Sequence, residues 1–78
     1  MDIEFSDHAE LKISQRKLLR EKILETIAHP DFRRPSYSNR EELFKNFGKN
    51  HLKVVIIEED SKVVVVTAHW IAKMPKKS

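Results

Sequence analysis

Residues 51–70 read HLKVVIIEEDSKVVVVTAHW. Two runs rich in β-branched residues, 51–58 and 62–70, flank the polar stretch Glu59-Asp60-Ser61, and this pattern predicts an antiparallel hairpin. Side chains alternate along a strand, so Val64, Val66, Ala68 and Trp70 are expected on one face and Val63, Val65, Thr67 and His69 on the other. In the preceding strand Leu52, Val54 and Ile56 oppose Lys53, Val55 and Ile57. Both faces are therefore apolar over much of their length. The end of the second strand is unusual, because a plain buried strand has no need of the hydroxyl, imidazole and indole of Thr67, His69 and Trp70.

Outward from the hairpin the period changes several times. Residues 2–5, DIEF, alternate as a short strand. Ser6 or Asp7 then caps a helix over 7–17, with Asp7 and Glu10 at capping-box spacing. A second helix over 19–29 carries Leu19, Ile23, Leu24 and Ile27 on one stripe. Pro30 ends it, since its ring disfavours a helical conformation at His29. No glycine or proline separates the two helical segments, so one long helix is the alternative. Beyond Pro30, DFRRPSY fits an edge strand, because Pro35 cannot donate to a ladder. SYSN is turn-like, ELFKNF alternates, and GKN is a turn leading into the hairpin. The expected architecture is α+β: a short N-terminal strand, two helices, then a three- to four-stranded antiparallel sheet packed on the helices. Two short helices cover one sheet face. The other is expected to await a partner, either a second copy or another protein.

The chain has 78 residues, which suits one domain over 1–72 followed by a basic, frayed tail at 73–78. It contains no cysteine, as suits a reducing compartment. The longest apolar run is shorter than the ~20 residues of a membrane span. The acidic start MDIEFSDH lacks the basic and apolar regions of a signal peptide, so a cytoplasmic protein is expected. Lys plus Arg number 15 against 12 Asp plus Glu, a net charge of +3. The basic residues gather at Lys12, Arg16, Lys17 and Arg20, at Arg33 and Arg34, and at Lys73, Lys76 and Lys77. Such clustering suits a polyanion partner, although a solvated surface of mixed charge gives the same totals.

The segments FSDHAELKISQRKLLREKILETIAHPD (5–31) and GKNHLKVVIIEEDSKVVVVTAHW (48–70) resemble a small microbial domain family of the RelE/ParE-like toxin superfamily. The pattern is a His-Ala near the start of the first helix, a basic residue four positions on and an Arg four further. A helix then ends at proline, and a late strand carries Val-Thr. These fall on His8-Ala9, Lys12, Arg16, His29-Pro30 and Val66-Thr67. A glycine after the Arg and a Ser or Thr capping the second helix belong to the pattern, and Lys17 and Leu19 stand there instead. The resemblance implies a RelE-like fold, RNA (including ribosome-bound mRNA) as substrate, and an antitoxin partner.

On a helix His8, Lys12 and Arg16 form one row, a phosphate clamp or an ordinary salt-bridged surface. Lys53, Thr67 and His69 share a sheet face by parity. RNA cleavage without a metal needs a base for the 2′-hydroxyl, cations for the phosphorane and an acid for the leaving oxygen. The candidate catalytic set is His8, Lys12, Arg16 and His69. Lys53, Thr67, Arg33 and Arg34 are candidate RNA contacts, and Tyr37 or Trp70 is a candidate base-stacking surface. The plainer reading makes Thr67 a strand former, His69 half-buried and Trp70 core. No histidine pair has metal-ligand spacing, so neither a metal nor a cofactor is expected. A non-catalytic RNA- or protein-binding module and a structural homodimer are the competing functions.

Overall fold

The computed structural model describes residues 2–73. Along them run β1 (Asp2–Phe5), α1 (Asp7–Arg16), α2 (Arg20–Ala28), β2 (Phe32–Pro35), β3 (Arg40–Asn46), β4 (His51–Glu59) and β5 (Lys62–Ile71). The strands form a single five-stranded sheet in the order β1-β5-β4-β3-β2. β2 to β5 are antiparallel neighbours, as the hairpin pattern implies. β1 departs from the expected purely antiparallel sheet. It pairs parallel to β5, with Ile3 opposite Val63 and Phe5 opposite Val65, and makes the sheet mixed. The two intervening helices supply the long connection that a parallel pairing requires. Of the expected basic tail, residues 74–78 lie outside the described residues.

The helices are separate, and their junction explains why the sequence hides the break. Ser6 caps α1 by accepting the Ala9 N–H at 3.0 Å. At the other end Lys17 takes a left-handed conformation, φ 52°, and α1 closes with the Lys17 and Leu18 N–H groups on the Ile13 carbonyl. Glycine is the usual residue there, since it has no Cβ to clash. Leu19 occupies the N-cap of α2 without a side-chain cap. The chain thus breaks its helix with residues that carry no breaking signal. Between β2 and β3 the turn at Ser38 and Asn39 has both residues at positive φ, the twist that suits a two-residue hairpin.

One irregularity corrects the expected sheet faces. Val55 pairs with Thr67 and Ile56 with Val65, which leaves Val66 as a bulge in β5. The extra residue reverses the alternation. Val63 and Val65 therefore join Ala68 and Trp70 on the helix-covered face, with Leu52, Val54 and Ile56 of β4 and Leu43 of β3. Ala9, Leu18 and Ile23 come down from the helical side to complete this core, with Ile13, Ile27, Phe47 and Trp70 at its rim. Trp70 meets Phe47 edge-on with ring centroids 5.9 Å apart. It finishes the core and is not with Thr67 and His69. Thr26, fully buried in α2, donates its hydroxyl proton to the Lys22 carbonyl at 2.8 Å.

Candidate functional site

The face of the sheet away from the helices carries Val64, Thr67, His69 and Ile71 of β5, Lys53, Val55 and Ile57 of β4, Glu42 and Phe44 of β3, and Phe32 and Arg34 of β2. Strand register sets them in rows. Lys53 lies directly opposite His69 and beside Phe44, and Val55 lies between Thr67 and Glu42. Among the described residues no helix roofs this side, yet Phe44 is 1% exposed and Val55 7%. Long side chains do the covering. The Arg34 guanidinium lies 5.4 Å from the Phe44 ring centroid and the Lys53 ammonium 6.0 Å. The Phe32 ring packs alongside with centroids 5.6 Å apart. Arg and Lys suit this role because their stems cover apolar surface while their heads stay at water.

Glu42 organises the heads. Arg34 Nε donates to Glu42 Oε1 at 2.6 Å, Ser36 Oγ donates to Oε2 at 3.2 Å, and Lys53 Nζ lies 3.4 Å from Oε2. Burial pushes the Glu42 carboxyl upward, but the Arg34 hydrogen bond and the charges of Lys53 and Arg34 outweigh it, and the net shift is downward. Glu42 therefore stays ionised at neutral pH.

His69 sits at the other end of this line. Burial lowers its imidazole pKa, and the charges of Lys53 and Arg16 lower it further, against an opposing pull from Glu42. The result at pH 7 is a neutral imidazole between two cations, able to accept a proton. Arg16 arrives there for a reason in the fold. β1 ends where Phe5 meets Val65, so the edge of β5 beyond that point has no strand beside it. Ser6 takes over, donating its N–H to the Val65 carbonyl at 3.0 Å and its hydroxyl to the Val66 carbonyl at 3.1 Å. Arg16 Nη1 donates to the Ala68 carbonyl at 2.9 Å. The edge of β5 thus draws the end of α1, and with it a guanidinium, up to His69.

The fold unites His69, Lys53, Thr67, Arg16 and Arg34 on one surface. It keeps others apart. His8 lies in the first turn of α1, exposed, and eight residues of helix separate it from Arg16, about 12 Å at 1.5 Å per residue. Lys12 reaches Gln15 Oε1 at 3.4 Å. Arg33 falls on the opposite face from Arg34 by strand alternation and pairs with Glu41. Glu42 and Ser36 belong to this cluster and are not among the residues the sequence singles out. The alternation of ELFKNF does mark Glu42, since a carboxylate two positions before Phe44 shares its face. His51, two positions before Lys53, has a buried Nδ1 without a hydrogen-bond partner. Among the described residues no group of His, Asp or Glu is arranged to hold a metal ion, and no helix is long and apolar enough to cross a membrane.

Compared with protein-family models, curated proteins and solved structures, the chain matches none.

Proposed function

We propose that the open sheet face binds RNA and that the protein is a toxin-like, metal-independent endoribonuclease of RelE/ParE-like type acting in the cytoplasm. The observation that carries the reading is the neutral imidazole of His69 set opposite Lys53 and beside Arg16. His69 takes the proton of a ribose 2′-hydroxyl. The 2′-oxygen attacks the adjacent phosphorus, and Lys53 and Arg16 neutralise the charge that builds on the phosphoryl oxygens. The bond from phosphorus to the 5′-oxygen breaks, and that oxygen takes a proton from the Lys53 ammonium. The products are a 2′,3′-cyclic phosphate and a 5′-hydroxyl, and proton exchange with water restores both side chains. Thr67 donates to a phosphate oxygen, and Arg34, Lys12 and His8 hold flanking phosphates. An antitoxin or a second copy, laid on the half-buried Ile57, Val64 and Ile71, covers the same face and blocks it.

The test is cleavage of a mixed-sequence RNA in EDTA by the wild-type, His69→Ala and Arg16→Ala proteins. General-base catalysis contributes about 10²–10⁴-fold, so His69→Ala should lower the rate by that factor and leave RNA affinity nearly intact. Equal rates for wild type and His69→Ala, or cleavage that EDTA abolishes, would contradict the reading. A second reading, a non-catalytic RNA-binding module, is favoured by the distance of His8 from Arg16, which leaves no second matched imidazole beside His69. It requires tight, salt-dependent binding with no cleavage by any of these proteins.

A further inference from the structure

Beside the Glu42 cluster a shallow cleft of about 420 Å³ opens at the β2–β3 end of the sheet, lined by Arg34, Pro35, Ser36, Tyr37 and Glu42. Its volume falls within the usual range for small-ligand sites, roughly 300–1,000 Å³. Two features of its lining call for explanation. Tyr37 is 89% exposed, an unusual position for an aromatic ring. The Glu42 side chain is only 13% exposed, and it places a fixed negative charge between the cations of Arg34 and Lys53.

We infer that this cleft is a nucleobase subsite, selective for bases bearing an exocyclic amino group over uracil. The inference rests on the RNA-binding reading of the neighbouring face and adds what that face reads. Tyr37 offers a sequence-tolerant stacking surface. Glu42 supplies the selectivity. An ionised carboxylate only accepts hydrogen bonds, at about four lone-pair sites. Oε2 is engaged by Ser36 and Lys53, whereas Oε1 holds only the Arg34 bond and keeps an acceptor site. The amino group of cytosine, adenine or guanine donates to it, as carboxylates do to cytosine N4 in nucleic-acid recognition. Uracil presents a carbonyl oxygen at that position and is repelled. The distance is suitable as well. From Glu42 on β3 to His69 on β5 there are two strand spacings across the sheet and two residues along it, about 12 Å, so a base in the cleft belongs to a nucleotide close to the phosphate at His69.

The experiment is binding of labelled cytidine and uridine hexanucleotides, 2′-O-methylated so that they resist cleavage, at one fixed salt concentration. The wild type should bind the cytidine oligomer about tenfold more tightly than the uridine oligomer. Glu42→Gln should bring that ratio close to one, since an amide can present either its oxygen or its NH₂, while tightening both complexes by releasing Arg34 and Lys53. Tyr37→Ala, a change at an exposed position, should weaken both by about tenfold. Equal binding of the two oligomers by the wild type overturns the subsite whatever the variants do. A ratio that Glu42→Gln leaves unchanged also overturns it, and makes Glu42 only the anchor of the cations. In either of those cases RNA binding itself survives. Failure of the wild type to bind either oligomer removes the RNA reading together with the subsite.

Discussion

The two faces of this sheet bury apolar side chains by different means. Under the helices, Leu52, Val54 and Val65 are fully buried among other apolar groups. On the open face, Phe44 and Val55 are nearly as buried, yet Phe44 lies under Arg34, Lys53 and Phe32, and Val55 is flanked across the strands by Glu42 and Thr67. The first arrangement is close-packed, and the hydroxyl of its buried Thr26 is satisfied within α2 by the Lys22 carbonyl. The second is a roof of charged heads on flexible stems, each head held by an ion pair at the surface. Burial alone therefore does not separate core from site in this protein. What separates them is the kind of atom that provides the burial.

The largest expected effect comes from the covered face. Leu52→Ala should cost about 2–5 kcal/mol, because a packed core collapses only partly around a cavity. A residue on the other face of the same strand sharpens the contrast. Val55→Ala should cost about 1 kcal/mol, since the stems of Lys53 and Arg34 can settle into the space. Urea denaturation of the two variants measures both losses. Equal costs would mean that the open face is packed as rigidly as the core.

A smaller effect, of opposite sign, is expected at the helix junction. Lys17 holds a left-handed conformation at φ 52° with no glycine to relieve it. Lys17→Gly should therefore stabilise the protein by about 0.5–1 kcal/mol, with RNA binding unchanged. A loss of stability would mean that the lysine side chain contributes more than its backbone costs.

The smallest effect is a pH dependence. Burial, Lys53 and Arg16 hold the folded-state pKa of His69 below its ordinary value of 6.5. Between the two values the unfolded chain binds the extra proton and the folded chain does not, so stability rises with pH across that window. It is fully present above about 6.5 and declines as the pH falls through that value toward the folded pKa. His69→Gln should flatten this part of the stability profile. An unchanged slope would show that His69 is not held neutral by its surroundings.

The sequence makes the order of elements, the β4–β5 hairpin and the shared face of Lys53, Thr67 and His69 legible, because each rests on local alternation and on turn residues. Three things lie beyond it. The bulge at Val66 depends on how Val55 and Ile56 meet β5, and four consecutive valines carry no mark of which one is extra. The parallel pairing of β1 with β5 joins the two ends of the chain, and no local pattern reports it. The approach of Arg16 to His69 follows from that pairing, since β1 stops at Phe5 and leaves the edge of β5 for α1 to cover. The helical row of His8, Lys12 and Arg16 suggests a continuous clamp, but only its last member lies beside the sheet site. The helix break at Lys17 and Leu19 is invisible for a different reason, namely that neither residue is one that usually ends or begins a helix.

The most direct test is methyl NMR during titration with a short, cleavage-resistant RNA. Resonances of Val55, Ile57, Val64 and Ile71 on the open face should move, while those of Leu52, Val54, Ile56 and Val65 beneath the helices stay in place. Movement confined to the exposed helical leucines Leu11, Leu19 and Leu24, with the open face silent, would place the RNA on the other side of the protein and contradict the assignment of His69 and Lys53 to its site.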